Sequence, residues 1–162
     1  MPETPDKPAP IAVSIGREPF DAPDGAALRA AQRVELDARY GRDDHEPGAE
    51  PTADSVPVFL VARTTDGRAV ACGGLRLLPE GGAEIKRMYV DPSVRGRGVS
   101  TAVLRALEVE AAALGVRRLV LETGTLQPDA IRFYGREGYE PIPLFGPYVG
   151  SPVSLCFART LT

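Results

Sequence analysis

Between Asp91 and Thr101 the chain reads DPSVRGRGVST, with two arginines alternating with two glycines and a hydroxyl pair behind them. These residue types suit the binding of an anion. Asp91-Pro92 ends the apolar run before it, because proline cannot donate to a sheet ladder. A helix is expected from about Gly98, and the first turn of a helix carries unpaired N–H groups and the positive end of the macrodipole. Gly96 and Gly98 let backbone come close to a bulky anion, Arg95 and Arg97 add charge-assisted donors, and Ser100 and Thr101 add hydroxyls. Strand, glycine-rich turn and helix make a phosphate-binding arrangement. No Gly-Lys-Ser/Thr follows, so this is not a P-loop, and G-x-G-x-x-G is absent, so it is not a dinucleotide fingerprint. The plainer alternative is a turn made by two glycines and solvated by two arginines.

Other chemistries are poorly served. The one histidine, His45, lies in a polar stretch, which excludes a histidine-rich metal site and argues against a serine triad. Cys72 and Cys156 stand far apart, each inside an apolar run, and read as small buried hydrophobes rather than a disulfide or nucleophile pair. A net charge of −3 gives no general pull toward nucleic acid or an anionic membrane. No apolar run approaches the roughly 18 residues of a membrane span. MPETPDKPAP at the start lacks a basic-then-apolar signal pattern, so a cytoplasmic location is expected.

The elements that must position the loop follow from periodicity. The 162 residues suit one domain: residues 1–10, with four prolines, read as a disordered tail and 11–162 as a single unit. Ile11–Ile15 reads as a strand. A helix is expected from Asp24-Gly25 to about Arg39, its apolar positions Leu28, Ala31, Val34 and Ala38, with Glu35–Arg39 as an i,i+4 pair. The acidic stretch 41–55 reads as a mobile loop or a lid. Three strands follow: PVFLVAR, RAVACGGLRLL after the tight turn at Asp66-Gly67, and AEIKRMYV. Gly73-Gly74 suggests a bulge or a close approach of another backbone. Alternation puts Glu84, Lys86 and Met88 on one face of the fourth strand and Ile85, Arg87 and Tyr89 on the other. A helix from about Gly98 to Leu114, striped by Val103, Leu107, Ala111 and Leu114, leads to the strand RRLVLET. Pro128 opens a short helix closing near Gly138, and GYEPI and SPVSLCFAR are the last strands. The order β-α-β-β-β-α-β-α-β-β implies a mixed sheet, an α/β (α+β) class, and a right-handed crossover around the second helix.

RGRGVS after MYVDP resembles the acyl-CoA loop of the GNAT superfamily of N-acetyltransferases, Gln/Arg-x-x-Gly-x-Gly/Ala. LETGTLQPDAIRFYGREGYEPI resembles that family's second block, with Tyr134 and Gly138-Tyr139 in its Tyr-x-x-x-Gly-aromatic positions. The element order is the family's, the resemblance spans roughly Ile11 to Thr160, and EIKRMYV, LETG and FGPYVGSP are similar to a bacterial stand-alone subset. Ser100 stands where Gly or Ala is usual, and Gln127 where Asn is frequent.

The resemblance implies a GNAT fold: a mostly antiparallel sheet of about seven strands, the fourth and fifth splayed, with helices on both faces. It implies transfer of an acetyl group from acetyl-CoA to a primary amine of a small molecule by direct attack in a ternary complex, without a metal. Arg95, Gly96, Arg97, Gly98, Val99, Ser100 and Thr101 would hold the pyrophosphate. Met88, Tyr89, Val90, Gln127 and Tyr134 would line the pantetheine and thioester, with Val90 pairing through its backbone and the Met88 N–H at the carbonyl. Glu84 would be the base and Tyr134 the acid, while Lys86 would assist Glu84 or bind a substrate carboxylate. Arg42, Asp43, Asp44 and His45, and Phe145 to Tyr148, would border the acceptor pocket. A protein-lysine acetyltransferase, a non-catalytic acyl-CoA sensor and an ATP-binding protein are the other readings, the last lacking a Lys-Ser/Thr for magnesium. A homodimer is compatible with the family and with exposed sheet edges.

Overall fold

The computed structural model describes residues 7–41 and 48–162. The chain runs β1 (Ser14–Arg17), α1 (Pro23–Tyr40), β2 (Val58–Arg63), β3 (Ala69–Leu77), β4 (Ala83–Val90), α2 (Val99–Ala113), β5 (Arg118–Gly124), α3 (Pro128–Arg136), β6 (Glu140–Ile142) and β7 (Ser154–Thr160), with 3₁₀ turns at Pro92–Val94 and Gly146–Tyr148. The strands form one seven-stranded sheet in the order β1-β2-β3-β4-β5-β7-β6. Every neighbouring pair is antiparallel except β4 and β5, which are parallel. This is the mixed sheet of the expected fold, with helices on both faces.

The period-2 pattern of β2 divides the core. Val58, Leu60 and Ala62 join a cluster with Val103, Leu104, Leu107 and Ala111 of α2 and Tyr134 of α3. Phe59 and Val61 join Leu28 of α1, Phe20, Cys72 and Tyr89 on the other face. A sheet buried on both faces shields its hydrogen bonds from water, so its frame is stiff enough to aim a site. Both cysteines are buried and unpaired. No helix among the described residues is long and apolar enough to cross a membrane.

Three local expectations are corrected. The first strand is Ser14–Arg17 rather than Ile11–Ile15, because β2 offers partners from Leu60 to Arg63 only, and the Ile11 amide donates instead to the Arg97 carbonyl. The buried stripe of α1 is not Leu28, Ala31, Val34 and Ala38: Val34 is 70% exposed, and the helix turns Gly25, Leu28, Gln32 and Leu36 inward. On α2, Leu114 is exposed, because the helix stops at Ala113 and leaves it at the C-terminal cap. Residues 1–6 of the expected tail, and Arg42, Asp43, Asp44 and His45 of the expected acceptor border, lie outside the described residues.

Candidate active site

β4 and β5 run side by side for three residue pairs only, Ala83↔Leu119, Glu84↔Val120 and Ile85↔Leu121. Beyond Ile85, β4 stays with β3 as far as Val90, and β5 stays with β7 as far as Gly124. The cause is a bulge. Gly74 pairs with Lys86 and Cys72 with Tyr89, so Arg87 and Met88 together oppose Gly73. Arg87 takes φ 58, in the left-handed region, at a cost of about 1–3 kcal/mol for a residue with a side chain. Its carbonyl accepts from the Cys72 thiol at 3.3 Å. Gly73 permits the crowding: a Cβ there would lie 2.7 Å from Met88 Sδ. A bulge bends and twists its strand, and here it turns β4 away from β5.

A cleft occupies the gap. Lys86, Arg87 and Met88 form one wall, Glu122, Thr123 and Gly124 the other, with Gln32, Leu36 and Tyr40 of α1 above and Gln127, Ala130 and Tyr134 of α3 below. It continues past Tyr89, Val90 and Phe133 to Arg95 and Ser100 at the foot of α2. Sequence reasoning did not find Gln32, Leu36, Tyr40 or Glu122; the inward period of α1 was the available signal. Gln32 Nε2 donates to the Met88 carbonyl at 2.8 Å, and Arg95 Nε to the Val90 carbonyl at 2.9 Å. Gln32 Oε1 is buried without a hydrogen-bond partner among the described residues. The Tyr40 hydroxyl accepts from the Leu126 amide at 3.3 Å, and it sits so close over Gly124 that a Cβ there would collide with it.

At the glycine turn, Gly96 (φ 75) and Gly98 (φ 82) are left-handed, and open space lies where a Cβ would stand at each. Gly98 is the N-cap of α2 and gives it no side-chain cap, so the first-turn amides keep their donors for another partner. The arginine side chains behave differently from expectation. Arg95 grips the Glu35 carboxylate of α1 with both terminal nitrogens, at 2.8 and 2.6 Å, and Arg97 Nε donates to the Ala9 carbonyl at 2.9 Å. Each has a closer partner than an incoming anion. The Arg95 contact holds Glu35 below the usual carboxylate range, and Glu35 in turn raises Arg95. Thr101 likewise donates its hydroxyl to Glu137 at 3.1 Å. Ser100 alone of the two hydroxyls lines the cleft.

The bulge also corrects the expected facing of β4. Glu84 and Lys86 lie on the face that carries α1, while Met88 packs with Val103 and Leu107 on the opposite face. Glu84 is 1% exposed and lies outside the cleft lining. Its Oε2 accepts from the Tyr148 hydroxyl at 2.6 Å, and Tyr148 accepts from Lys86 Nζ at 2.9 Å. Arg76 Nε stands 3.8 Å from Glu84 Oε1. Tyr148, held by a T-shaped contact with Phe145, is thus buried at Glu84. Tyr134 lines both halves of the cleft from the α2 side, and burial pushes its phenol above the ordinary value. Tyr89 turns its ring into the core beneath α1, which leaves its backbone to the cleft. Gln127, at the N-cap of α3, reaches both halves.

Residues 26–139 match the sequence model of the Acetyltransferase (GNAT) family. The chain is 41% identical over 104 residues to an IAA acetyltransferase of Azospirillum brasilense, covering 64% of this chain and 67% of that protein. A crystal structure from Klebsiella pneumoniae, assigned as an acyl-CoA N-acyltransferase, superposes with a TM-score of 0.78 at 34% identity, over 93% of this chain and 98% of that one. The fold also matches, with a TM-score of 0.67 and 14% identity over 92% of this chain and 98% of the other, a GNAT family acetyltransferase of Elizabethkingia anophelis with acetyl-CoA bound.

Proposed function

The chain belongs to the GNAT family of acetyltransferases, and on that footing we propose that it moves an acetyl group from acetyl-CoA to a primary amine of a small molecule, with both substrates bound at once. The observation that carries this reading is the parted pair of strands, with the glycine turn at one end of the gap and a buried tyrosine midway along it.

The residues present suit acetyl-CoA, whose thioester supplies an activated acyl group. Backbone amides from Gly96 to Ser100 would take the diphosphate, a role supported by the open space at Gly96 and Gly98, while the Arg95 amide donates instead to the Pro92 carbonyl at 3.4 Å. Gln32 Oε1, buried and lacking a donor among the described residues, suits an amide N–H of the kind pantetheine carries. The Met88 and Val90 carbonyls are engaged by Gln32 and Arg95, and the amide hydrogens of Met88 and Val90 would serve the ligand. The Met88 N–H would then polarise the acyl carbonyl as charge develops on it.

An alkylamine with a pKa near 10.4 arrives protonated at neutral pH, so attack requires a base. Glu84 is the proposed acceptor of that proton. Tyr134 holds its own proton at neutral pH because burial raises it, and it is a weaker acid than a thiol of pKa about 8.5. Its duty is therefore to donate a hydrogen bond to the thiolate as it departs. A charge-assisted hydrogen bond contributes about 1.5–3 kcal/mol, so Tyr134→Phe should lower kcat about 10–100-fold with unchanged acetyl-CoA affinity. Wild-type turnover in that variant would remove Tyr134 from the reaction.

A small acceptor is supported by the roof over the cleft, where the Tyr40 hydroxyl accepts from the Leu126 amide. The name of the Azospirillum relative points the same way. The test is free-thiol release from acetyl-CoA with a panel of small amines and amino acids against lysine-containing peptides. Release with a small amine and none above background with peptides is expected; release with peptides alone would overturn the small-molecule assignment.

A further inference from the structure

Beneath the cleft lies a set of deeply buried polar groups. Glu84 is 1% exposed, Tyr148 1% and Lys86 6%. They form a chain in which Lys86 Nζ donates to Tyr148 Oη at 2.9 Å and Tyr148 Oη donates to Glu84 Oε2 at 2.6 Å, while Lys86 Nζ stands 3.6 Å from that same oxygen, an ion pair longer than either hydrogen bond of the chain. Only one end of it meets the cleft: Lys86 lines the gap, and Glu84 does not. The other carboxylate oxygen, Oε1, is buried with no hydrogen-bond partner among the described residues, and Arg76 Nε stands 3.8 Å from it. A carboxylate kept for support alone is poorly served there, since leaving a buried polar atom unpaired costs about 1–3 kcal/mol.

Resting on the acetyl-transfer reading of the cleft, we infer that Tyr148 is the positioning residue through which protons pass from the cleft to Glu84. The acceptor ammonium meets Lys86, not Glu84. Tyr148 gives its hydroxyl proton to Glu84 Oε2 and takes one from the Lys86 ammonium, which leaves a lone pair on Nζ to take the proton of the acceptor ammonium. The net change is one proton lost from the acceptor amine, which frees its lone pair for attack, and one gained by Glu84. Lys86 and Tyr148 end as they began, and Glu84 returns its proton to solvent by the reverse route after turnover. A chain of fixed hydrogen bonds of this kind needs no side-chain rearrangement within it.

The Gly146–Tyr148 turn has a function in this scheme beyond closing a loop. Phe145, packed edge-on at 5.3 Å, fixes the ring that bridges the other two groups. Further charged or titratable groups around the relay include Arg76 of β3, Cys156 of β7 and, lining the cleft with Lys86, Arg87 of β4, Glu122 of β5, Tyr40 of α1 and Tyr134 of α3. The Cys156 thiol is raised chiefly by burial, and the Glu122 and Glu84 charges add to that shift.

The experiment is the pH dependence of kcat for wild type, Tyr148→Phe, Glu84→Gln and the double variant, with acetyl-CoA affinity by calorimetry as the check on folding. Tyr148→Phe should lose about 10–10²-fold in kcat at neutral pH and take on the altered pH profile of Glu84→Gln, and the double variant should be no slower than Glu84→Gln alone. A wild-type profile in Tyr148→Phe, or losses that multiply in the double variant, overturns the relay. A wild-type profile in Glu84→Gln instead defeats the parent assignment of Glu84 as base, and no thiol release from any amine defeats the acetyl-transfer reading. If Tyr148→Phe does not bind acetyl-CoA, difluorotyrosine at 148 keeps both hydrogen bonds while acidifying the phenol. A shifted pH limb then supports the relay, and an unshifted one overturns it.

Discussion

Replacing Ser100 with glutamate is expected to weaken acetyl-CoA binding about 100-fold or more while making the unliganded chain slightly more stable. Ser100 is the second residue of α2, faces the cleft, and stands in the first turn behind an N-cap that offers no side-chain acceptor. A carboxylate here meets the positive end of the helix, worth about 0.3–1 kcal/mol, or a rise of roughly 1–4 °C in Tm for a chain of this size. The same carboxylate opposes a diphosphate held by the neighbouring amides. At about 5 Å and an effective dielectric near 20, each pair of unit charges repels by roughly 3 kcal/mol, or about 10²-fold in affinity. Opposite signs in calorimetric affinity and in thermal stability separate this effect from damage to the fold. Unchanged affinity would place the diphosphate elsewhere.

Glu84→Gln is expected to cost about 10²–10⁴-fold in kcat, the range for a positioned base, with acetyl-CoA affinity unchanged. Glutamine keeps the volume and can still accept from Tyr148, so the packing around it survives while the proton-accepting carboxylate is lost. The loss should be steepest at low pH, where the amine is most protonated, and initial-rate profiles against pH would register it. A rate within about twofold of wild type would move the duty to Glu122, the carboxylate that does line the cleft.

What the sequence disclosed and what it withheld divide along the reach of each signal. The glycine turn, the Tyr134 helix and the paired glycines at 73 and 74 are local chemistry, written within a few residues, and they could be read. The facing of β4 could not. Alternation assumes an unbroken pleat, and one left-handed residue at Arg87 puts Met88 on the opposite side from Glu84. Lys86 could be read as a partner of Glu84, and it stands 3.6 Å away, but Tyr148, 64 residues from Glu84, and Arg95, 60 residues from Glu35, could not. The α1 stripe was misread because Val34 and the alanines mimic an apolar face, whereas the buried side mixes Gly25, Leu28, Gln32 and Leu36 to suit a cleft rather than a core.

The open joint between β4 and β5 makes the sheet a partition with a window in it. Lys86 looks through from the α1 layer and Tyr134 from the α2 layer. Under the proposed chemistry the coenzyme arm threads that window with Gln32 of α1 on one side and Tyr134 of α3 on the other, so a tilt of either helix against the sheet would be felt at the sill.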